Sequence, residues 1–462
     1  MNEQEFAQRW TERESRYPGW HPLPAGRPVH IHVDPEYAGT YAGQIAAITA
    51  ASLFGRMSSS VTVDVPPLQV LAPLSWTRSK LDEIVMRTLK DTHPYGIYDQ
   101  RTARREDLRL VIGPVGDGLI VHGEGWGAYC GTEPSPIVQS DEPNPFGAAF
   151  AVIAAASRLQ LNPDAGAFEP VSVDTYLWRA GPPSTDVPKV VPDFDLGELW
   201  CVGVGSVGSC ALFFLSLITR AFHAVLVDRD TVEIENVTRS ALFSSQDASV
   251  SRKKVEVAAD WLHRAGVERI EPHAAWLHEI PGRWSKRALG TPDILISAAN
   301  ERNVRSVIEQ AFPPLQVYAT TGRNWQATLL RHVPLIDACS LCIQSGQTPR
   351  PPALCATGSP EPADSDAEED DVALPFLSYA AGLMTAAEVA KLALTGEVVT
   401  PNRVFFEPRA RDLVRVVGLR QRRGCVCQLR DATIHKEVIR GSRFATLSAT
   451  PNDLGICSIS HP

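Results

Sequence analysis

The chain has 462 residues, 44% of them apolar and 21% charged, a globular composition with length for two to four domains at roughly 100–200 residues each. Its 53 acids against 44 bases give a formal charge of −9, which excludes the net basic face of a general nucleic-acid or membrane-surface binder. Nine cysteines are too sparse for a disulfide scaffold. The start, Met1 to Phe6, has no apolar signal segment, and the longest apolar runs, Cys210–Ile218 and Ala148–Ala156, fall well short of a membrane span. The expectation is a soluble, cytoplasmic protein with reduced thiols.

In chain order, Val29–Asp34 reads as a strand, Gly39–Phe54 as an Ala/Ile-rich helix and Ser60–Val65 as a second strand. His30 and His32 are spaced to grip a metal from one strand face, but no third ligand is visible, and the expectation is a solvated face. Leu108–Ile112 and Leu119–Val121 are short apolar runs near glycines. Gly113–Gly116 and His122–Trp126 read as loops abutting the other half. Asn144 as N-cap and Pro145 at the first helical position open a helix that runs to Leu159. Strand, helix and strand recur, which suggests a parallel sheet, but no phosphate-loop glycine pattern is present. The Pro-rich stretch Gly181–Asp193 reads as a linker and divides the chain into residues 1–185 and 186–462.

The second half is more explicit. Leu199–Val204 is an apolar strand, followed by Gly203-Val-Gly-Ser-Val-Gly208, a helix to about Thr219 and a second strand, Ala224–Asp228. Ile294–Ala298 and Gln316–Thr320 read as buried strands, and Phe376–Leu394 as an Ala-rich helix stopped by Gly396. Between them, Thr348–Asp371 opens with prolines and closes on an acidic run, too polar to pack. Glu361–Asp371 alone carries seven acids and no base, so most of the net charge belongs to one loop. The tryptophans form no stacking array for bases.

Gly203, Gly205 and Gly208 sit at a strand-to-helix junction. The first suits the tight turn, the second the approach of backbone to a phosphate, and the third close helix packing. The helix N-terminus supplies free N–H groups. Asp228 lies 20 residues past Gly208 at the end of the next strand, where a carboxylate can hold ribose hydroxyls. Asn236, Arg239 and Lys254 follow closely. An amide, a guanidinium and an ammonium suit a triphosphate, whose leaving pyrophosphate needs its charge neutralised; a hydride-transfer site does not need them.

The string from Gly203 through Asp228-Arg-Asp-Thr-Val-Glu-Ile-Glu-Asn236-Val-Thr-Arg239 to Lys254 resembles the adenylating fold of the ThiF/MoeB family and the ubiquitin-activating enzymes, over roughly Glu198 to Gln428. The resemblance implies a Rossmann-like α/β adenylation domain in which Gly203, Gly205 and Gly208 surround ATP, Asp228 binds ribose, and Asn236, Arg239 and Lys254 contact phosphates. Two departures stand out. The stretch between Arg239 and Lys254 is about two residues longer, and the family's magnesium-binding aspartate falls on Asn300, which offers an oxygen ligand with less charge.

Cys339 and Cys342 form one short-spaced pair, and Cys425 and Cys427 another; 82 residues intervene. Two such pairs suit tetrahedral thiolate zinc in a structural role, with one intervening residue in the second pair where the family usually has two. Cys355 lies in the loop 348–373, which in activating enzymes crosses the active site and often carries the thiol that takes the activated C-terminus. A thiolate on such a loop is nucleophilic and accessible. Cys130, Cys201, Cys210 and Cys457 read as core or terminal cysteines. The larger activating enzymes pair an active adenylation domain with an inactive one, and residues 1–185 resemble the degenerate partner in organisation; an unrelated accessory domain is the rival.

The resulting expectation is ATP- and magnesium-dependent activation of a ubiquitin-like protein. Its C-terminal tail is adenylated, taken up as a thioester on Cys355 and passed to a conjugating enzyme. Adenylation of a sulfur carrier and a non-catalytic nucleotide-binding scaffold are the alternatives, and monomer or homodimer is left open.

Overall fold

The computed structural model describes the chain except residues 1, 18, 24–26, 72–73, 75–77, 141, 164–168, 281–291, 300–301, 312, 323, 335, 344–372, 423–424, 426–441, 446–447 and 450–462. Asn300, Cys355, Cys427, Cys457 and the acidic run 361–371 therefore lie outside the described residues.

Two eight-stranded sheets repeat one plan. The first comprises β1 (Val29–Val33), β2 (Ser60–Asp64), β3 (Ile97–Gln100), β4 (Leu108–Ile112), β5 (Leu119–Glu124), β6 (Gly127–Gly131), β7 (Val171–Asp174) and β8 (Arg179–Ala180). Their order is β3-β2-β1-β4-β5-β6-β7-β8. The strands from β3 to β5 are parallel, and β6 to β8 add antiparallel. The second comprises β9 (Gly197–Val202), β10 (Phe222–Val227), β11 (Arg269–His273), β12 (Ile294–Ser297), β13 (Gln316–Gly322) and β14 (Gln326–His332). After β15 (Glu397–Val398), which pairs only with β18 (Ser448–Ala449), it is completed by β16 (Arg403–Phe406) and β17 (Val414–Val417). Its order is β11-β10-β9-β12-β13-β14-β16-β17, parallel from β11 to β13 and antiparallel beyond.

The helices repeat too. An N-terminal helix, α1 (Glu3–Thr11), precedes the first sheet; α2 (Tyr41–Met57) joins β1 to β2, α3 (Leu81–Thr92) joins β2 to β3, and α4 (Phe146–Leu161) joins β6 to β7. In the second half α5 (Ser206–Ser216) joins β9 to β10. The short α6 (Ile234–Val237) and α7 (Ser245–Ser249) precede α8 (Lys254–Ala265), which leads to β11. α9 (Arg302–Ala311) joins β12 to β13, α10 (Ser340–Ile343) follows β14, and α11 (Pro375–Thr395) leads to β16. α4 and α11, in equivalent connections, both open on a Pro-Phe pair and are apolar on nearly every face. Such helices bury all round rather than along one stripe.

They are buried because the halves pack helix to helix. α11 lies on α5 and also on α4 and α2. A Cβ at Gly382 of α11 would stand 2.4 Å from Cβ of Cys210 in α5, so only glycine permits this approach. Across the halves, the Tyr41 hydroxyl donates to the Leu217 carbonyl (2.9 Å), and Ser52 Oγ and Tyr379 Oη lie 2.6 Å apart. One apolar cluster runs through both halves. A buried charge network completes the junction. Glu388 accepts from Arg331 and from Lys391 Nζ (2.6 Å), Asp337 pairs with Arg331 (2.8 and 3.1 Å), and Lys391 donates to the Tyr176 carbonyl of the first half (3.0 Å).

Four sequence expectations need correction. The face carrying His30 and His32 is only partly solvated: His30 is buried with Nδ1 2.9 Å from Thr62 Oγ1, while His32, its side chain 40% exposed, pairs with Asp64 at 2.9 Å. His122, Gly123 and Glu124 belong to β5 rather than to a loop. The helix after the glycines stops at Ser216, short of Thr219. The helix predicted from Asn144 begins at Phe146, with the Asn144 side chain still accepting its first N–H (3.0 Å).

Candidate functional site

At the end of β9, Gly203 turns the chain with φ +87°. A Cβ there would stand 2.7 Å from Ala299 N and 2.8 Å from Ala298 C, both backbone after β12. Gly208 is equally constrained, since its Cβ would lie 2.0 Å from the Gly203 carbonyl oxygen. Gly205 differs: no atom lies within 4 Å of a Cβ built on it. It is the N-cap of α5 and offers no side-chain cap, so the first N–H groups of α5 are of the kind that bind anions.

The equivalent junction in the first half is closed. Between β1 and α2 stand seven residues, Asp34 to Thr40, which include the 3-10 turn Tyr37–Gly39. Thr40 Oγ1 accepts from the Gly43 amide (3.0 Å) and caps α2. β2 is followed by Val65-Pro66-Pro67, with no carboxylate where the second half has Asp228.

Asp228 follows β10 directly. Its carboxylate accepts from the amides of Val204 (2.8 Å) and Asp230 (3.0 Å), which ties the glycine turn to the next strand. Burial raises its pKa against the opposing charge of Lys254. Lys254 opens α8, is buried, and donates to Asp230 Oδ2 (3.0 Å). Asp228 and Lys254 are thus brought to one side of the turn.

Asn236 and Arg239 lie in and just after α6. Asn236, buried in α6, accepts from the Glu233 amide through Oδ1 (2.9 Å). The Arg239 carbonyl lies 3.8 Å from Cys210 Sγ on α5. Burial pushes the Arg239 guanidinium down to about 10, and Arg13 adds to the shift, against Glu14, Tyr17 and Glu235. Those N-terminal groups are what the sequence reading missed. Arg9 of α1 pairs bidentately with Glu235 of α6 (2.6 and 2.8 Å), and Glu14 is buried beside Arg239. With Arg9 and Glu235 226 positions apart, no local spacing could have announced this contact.

The sulfurs of Cys339, Cys342 and Cys425 lie within 4.8 Å of one another. Cys339 Sγ is 3.7 Å from that of Cys342 and 3.5 Å from that of Cys425. A tetrahedron with Zn–S of about 2.3 Å has edges of about 3.8 Å, so the donor set fits zinc in type and spacing. The Arg422 amide donates to Cys342 Sγ (3.3 Å), as to a thiolate. Glu309 braces the cluster by accepting from the Ser340 amide (2.8 Å) and Tyr318 Oη (2.9 Å) and by pairing with His332 (3.0 Å).

A parallel sheet with a glycine turn into an uncapped helix at its switch point, an acid after the next strand and buried cations in the segments that follow defines a nucleotide-binding α/β protein. The comparisons narrow this class. Residues 197–427 match the model of the ThiF family, half of the chain, and the chain belongs to that family. It is 27% identical over 321 residues to the bacterial E1-like protein BilD of Collimonas sp. (strain OK412), covering 64% of this chain and 65% of that relative; it thus spans just under two thirds of the relative's length. Among solved structures it is similar to E. coli MccB with ATP (17% identity, TM-score 0.36) and with AMPCPP and MccA (17%, TM-score 0.37), each over 50% of this chain and 66% of the other.

Proposed function

We propose that the protein adenylates the C-terminal carboxylate of a ubiquitin-like partner at the expense of ATP. The observation that carries this reading is an uncapped α5 N-terminus together with two buried cations, Lys254, whose charge acts on Asp228, and Arg239, whose carbonyl meets Cys210 of α5. The E1-like name of the 27% identical relative points the same way.

In this reading Gly203, Gly205 and Gly208 let backbone N–H groups approach the phosphates, Asp228 holds ribose, and Asn236, Arg239 and Lys254 contact phosphate oxygens. An oxygen of the partner's carboxylate bonds to the α-phosphorus, the bond from that phosphorus to the bridging oxygen breaks, and pyrophosphate leaves. Arg239 and Lys254 stabilise the charge that accumulates on the leaving group. Magnesium, with Asn300 as an oxygen ligand, supplies further charge neutralisation when bound. The Cys355 thiolate then attacks the acyl carbon, expels AMP and holds the partner as a thioester for transfer to a conjugating enzyme. Zinc on Cys339, Cys342, Cys425 and Cys427 is structural, because four thiolates leave no open position. Residues 1–185 are a degenerate adenylation-like partner of residues 186–462: the strand order repeats, but Thr40 caps α2 where Gly205 leaves α5 open. The setting is cytoplasmic, and no described helix is long and apolar enough to cross a membrane.

The test is ATP–pyrophosphate exchange with small glycine-tailed candidate proteins. Exchange that depends on one of them and is lost in Arg239→Ala supports the reading, and no exchange with any of them sinks it. A reducible thioester that persists in Cys355→Ala overturns that assignment alone.

A further inference from the structure

Arg56 lies in the last turn of α2, in the first half, and is only 4% exposed. Its guanidinium reaches into the second half. Nε and Nη2 donate to the Ser240 carbonyl (3.1 and 2.8 Å), and Nη2 also reaches the carbonyls of Ala241 (3.3 Å) and Phe243 (3.0 Å). Nη1 is anchored in its own half on the Ser52 carbonyl (2.7 Å), the Ser52 hydroxyl (3.0 Å) and the Thr92 hydroxyl (3.3 Å). All of these acceptors are neutral oxygens. A planar fork of donors that meets backbone carbonyls fixes a chain path, where a flexible ammonium would not.

The carbonyls it holds follow Arg239 directly. On the entry side of the same segment, Arg9 of the first half holds Glu235 (2.6 and 2.8 Å). The stretch that carries Asn236 and Arg239 is therefore gripped at both ends by arginines from the other half. Removing Arg56 would leave buried carbonyls without their donors, and the loop would move to find new ones.

We infer that Arg56 is a positioning residue for the phosphate-contacting segment: by fixing the carbonyls of residues 240, 241 and 243 it aims Arg239, so nucleotide affinity in the second half depends on a side chain of the first. The inference rests on the adenylation reading, which assigns Arg239 to the phosphates.

The experiment is calorimetry with MgATP on full-length wild type, Arg56→Met, Arg56→Lys, Arg239→Met and the double variant Arg56→Met/Arg239→Met, beside thermal unfolding without nucleotide. Arg56→Met keeps length and burial but loses the fork; it weakens ATP by about tenfold or more, and Arg56→Lys falls between. The double variant binds ATP no more weakly than Arg239→Met, because nothing remains to be aimed. A merely structural Arg56 would lower the melting temperature and multiply the two penalties. Folded Arg56→Met that binds ATP within about twofold of wild type, or penalties that multiply, overturns the inference. If Arg56→Met does not fold, Arg56→Lys carries the same cycle, and its penalty must vanish in the Arg239→Met background. Wild type that binds no ATP overturns the adenylation reading and this inference together, whereas wild-type binding with an unaffected Arg56→Met overturns the inference alone.

Discussion

Two glycines of one turn should fail in opposite ways. At Gly203 the backbone is left-handed, with φ +87°, and an added Cβ would stand 2.7–2.8 Å from the backbone of Ala298 and Ala299. That neighbour cannot rotate away, because the Ala298 amide is bonded to the Val202 carbonyl (2.9 Å). Strain of about 1–2 kcal/mol for the left-handed residue adds to about 1–3 kcal/mol for overpacking. Gly203→Ala should therefore lose about 2–5 kcal/mol of folding stability before any ligand is present. At Gly205 no atom lies within 4 Å of a Cβ, so Gly205→Ala should leave apo stability within about 0.5 kcal/mol of wild type. Its methyl would instead occupy the space through which a phosphate approaches the α5 amides. The loss of one or two charge-assisted hydrogen bonds, at about 1.5–3 kcal/mol each, corresponds to ATP affinity lower by at least about tenfold. Urea unfolding without nucleotide and calorimetry with MgATP separate the two effects. Gly205→Ala that binds ATP like wild type, or that unfolds as readily as Gly203→Ala, would refute this assignment of roles.

Purified protein should carry about one zinc per chain by atomic absorption; Cys425→Ser should lose it and melt at lower temperature, and a metal-free protein of undiminished stability would count against the site. Glu388→Gln should cost about 3–5 kcal/mol in chemical denaturation, since Arg331 and Lys391 would keep their charges in a site where Glu388 is 1% exposed; a cost below about 1 kcal/mol would show the network to be dispensable. Burial lowers the pKa of His93, packed on the rings of Phe6 and Trp10 at 4.7 Å, to about 4. The unfolded chain takes up that proton near 6.5 and the folded one only near 4, so stability is undiminished above pH 6.5. It should fall by about 3 kcal/mol as the pH drops to 4. His93→Gln should remove that part of the acid slope in melting curves, and an unchanged slope would exclude His93 as its source.

What the sequence made legible was local. The glycine turn, Asp228, Asn236, Arg239 and Lys254 occupy one continuous stretch whose spacing follows from strand, turn and helix geometry; in the structure Asp228 is bonded to the Val204 amide of the turn and the Arg239 carbonyl meets Cys210 of α5. The pair Cys339 and Cys342 was legible for the same reason, since the two residues between them leave their sulfurs 3.7 Å apart. What escaped depends on chain segments far apart in sequence. Val29-His-Ile-His-Val alternates as a half-exposed strand does, but His30 is covered by tertiary contacts, with Thr62 as its partner. The antiparallel extension of each sheet has no motif to mark it, and glycines such as Gly125 and Gly127 read equally as loop residues. Arg9, Arg13, Glu14 and Arg56 look like ordinary surface charges of helical segments until the other half is packed against them.

The duplicated topology sharpens what separates a binding half from a supporting one. Both halves put a helix N-terminus behind the central strand of a parallel sheet, and the dipole of that helix is the same physical object in each. The difference lies in who satisfies its first amides. In α2 the Thr40 hydroxyl accepts the Gly43 N–H, and the Tyr37 carbonyl oxygen lies 1.9 Å from where a Cβ of Gly43 would be, so this amide is spent on the chain itself and the preceding turn packs against it. In α5 the cap is a glycine with open space above it, so the amides remain for a ligand. The rest of α2 serves the interface: its last turn delivers Arg56 to the carbonyls beside Arg239, and its polar residues Tyr41 and Ser52 are hydrogen-bond partners of the second half. The closed helix end and the interface side chains thus belong to one and the same helix.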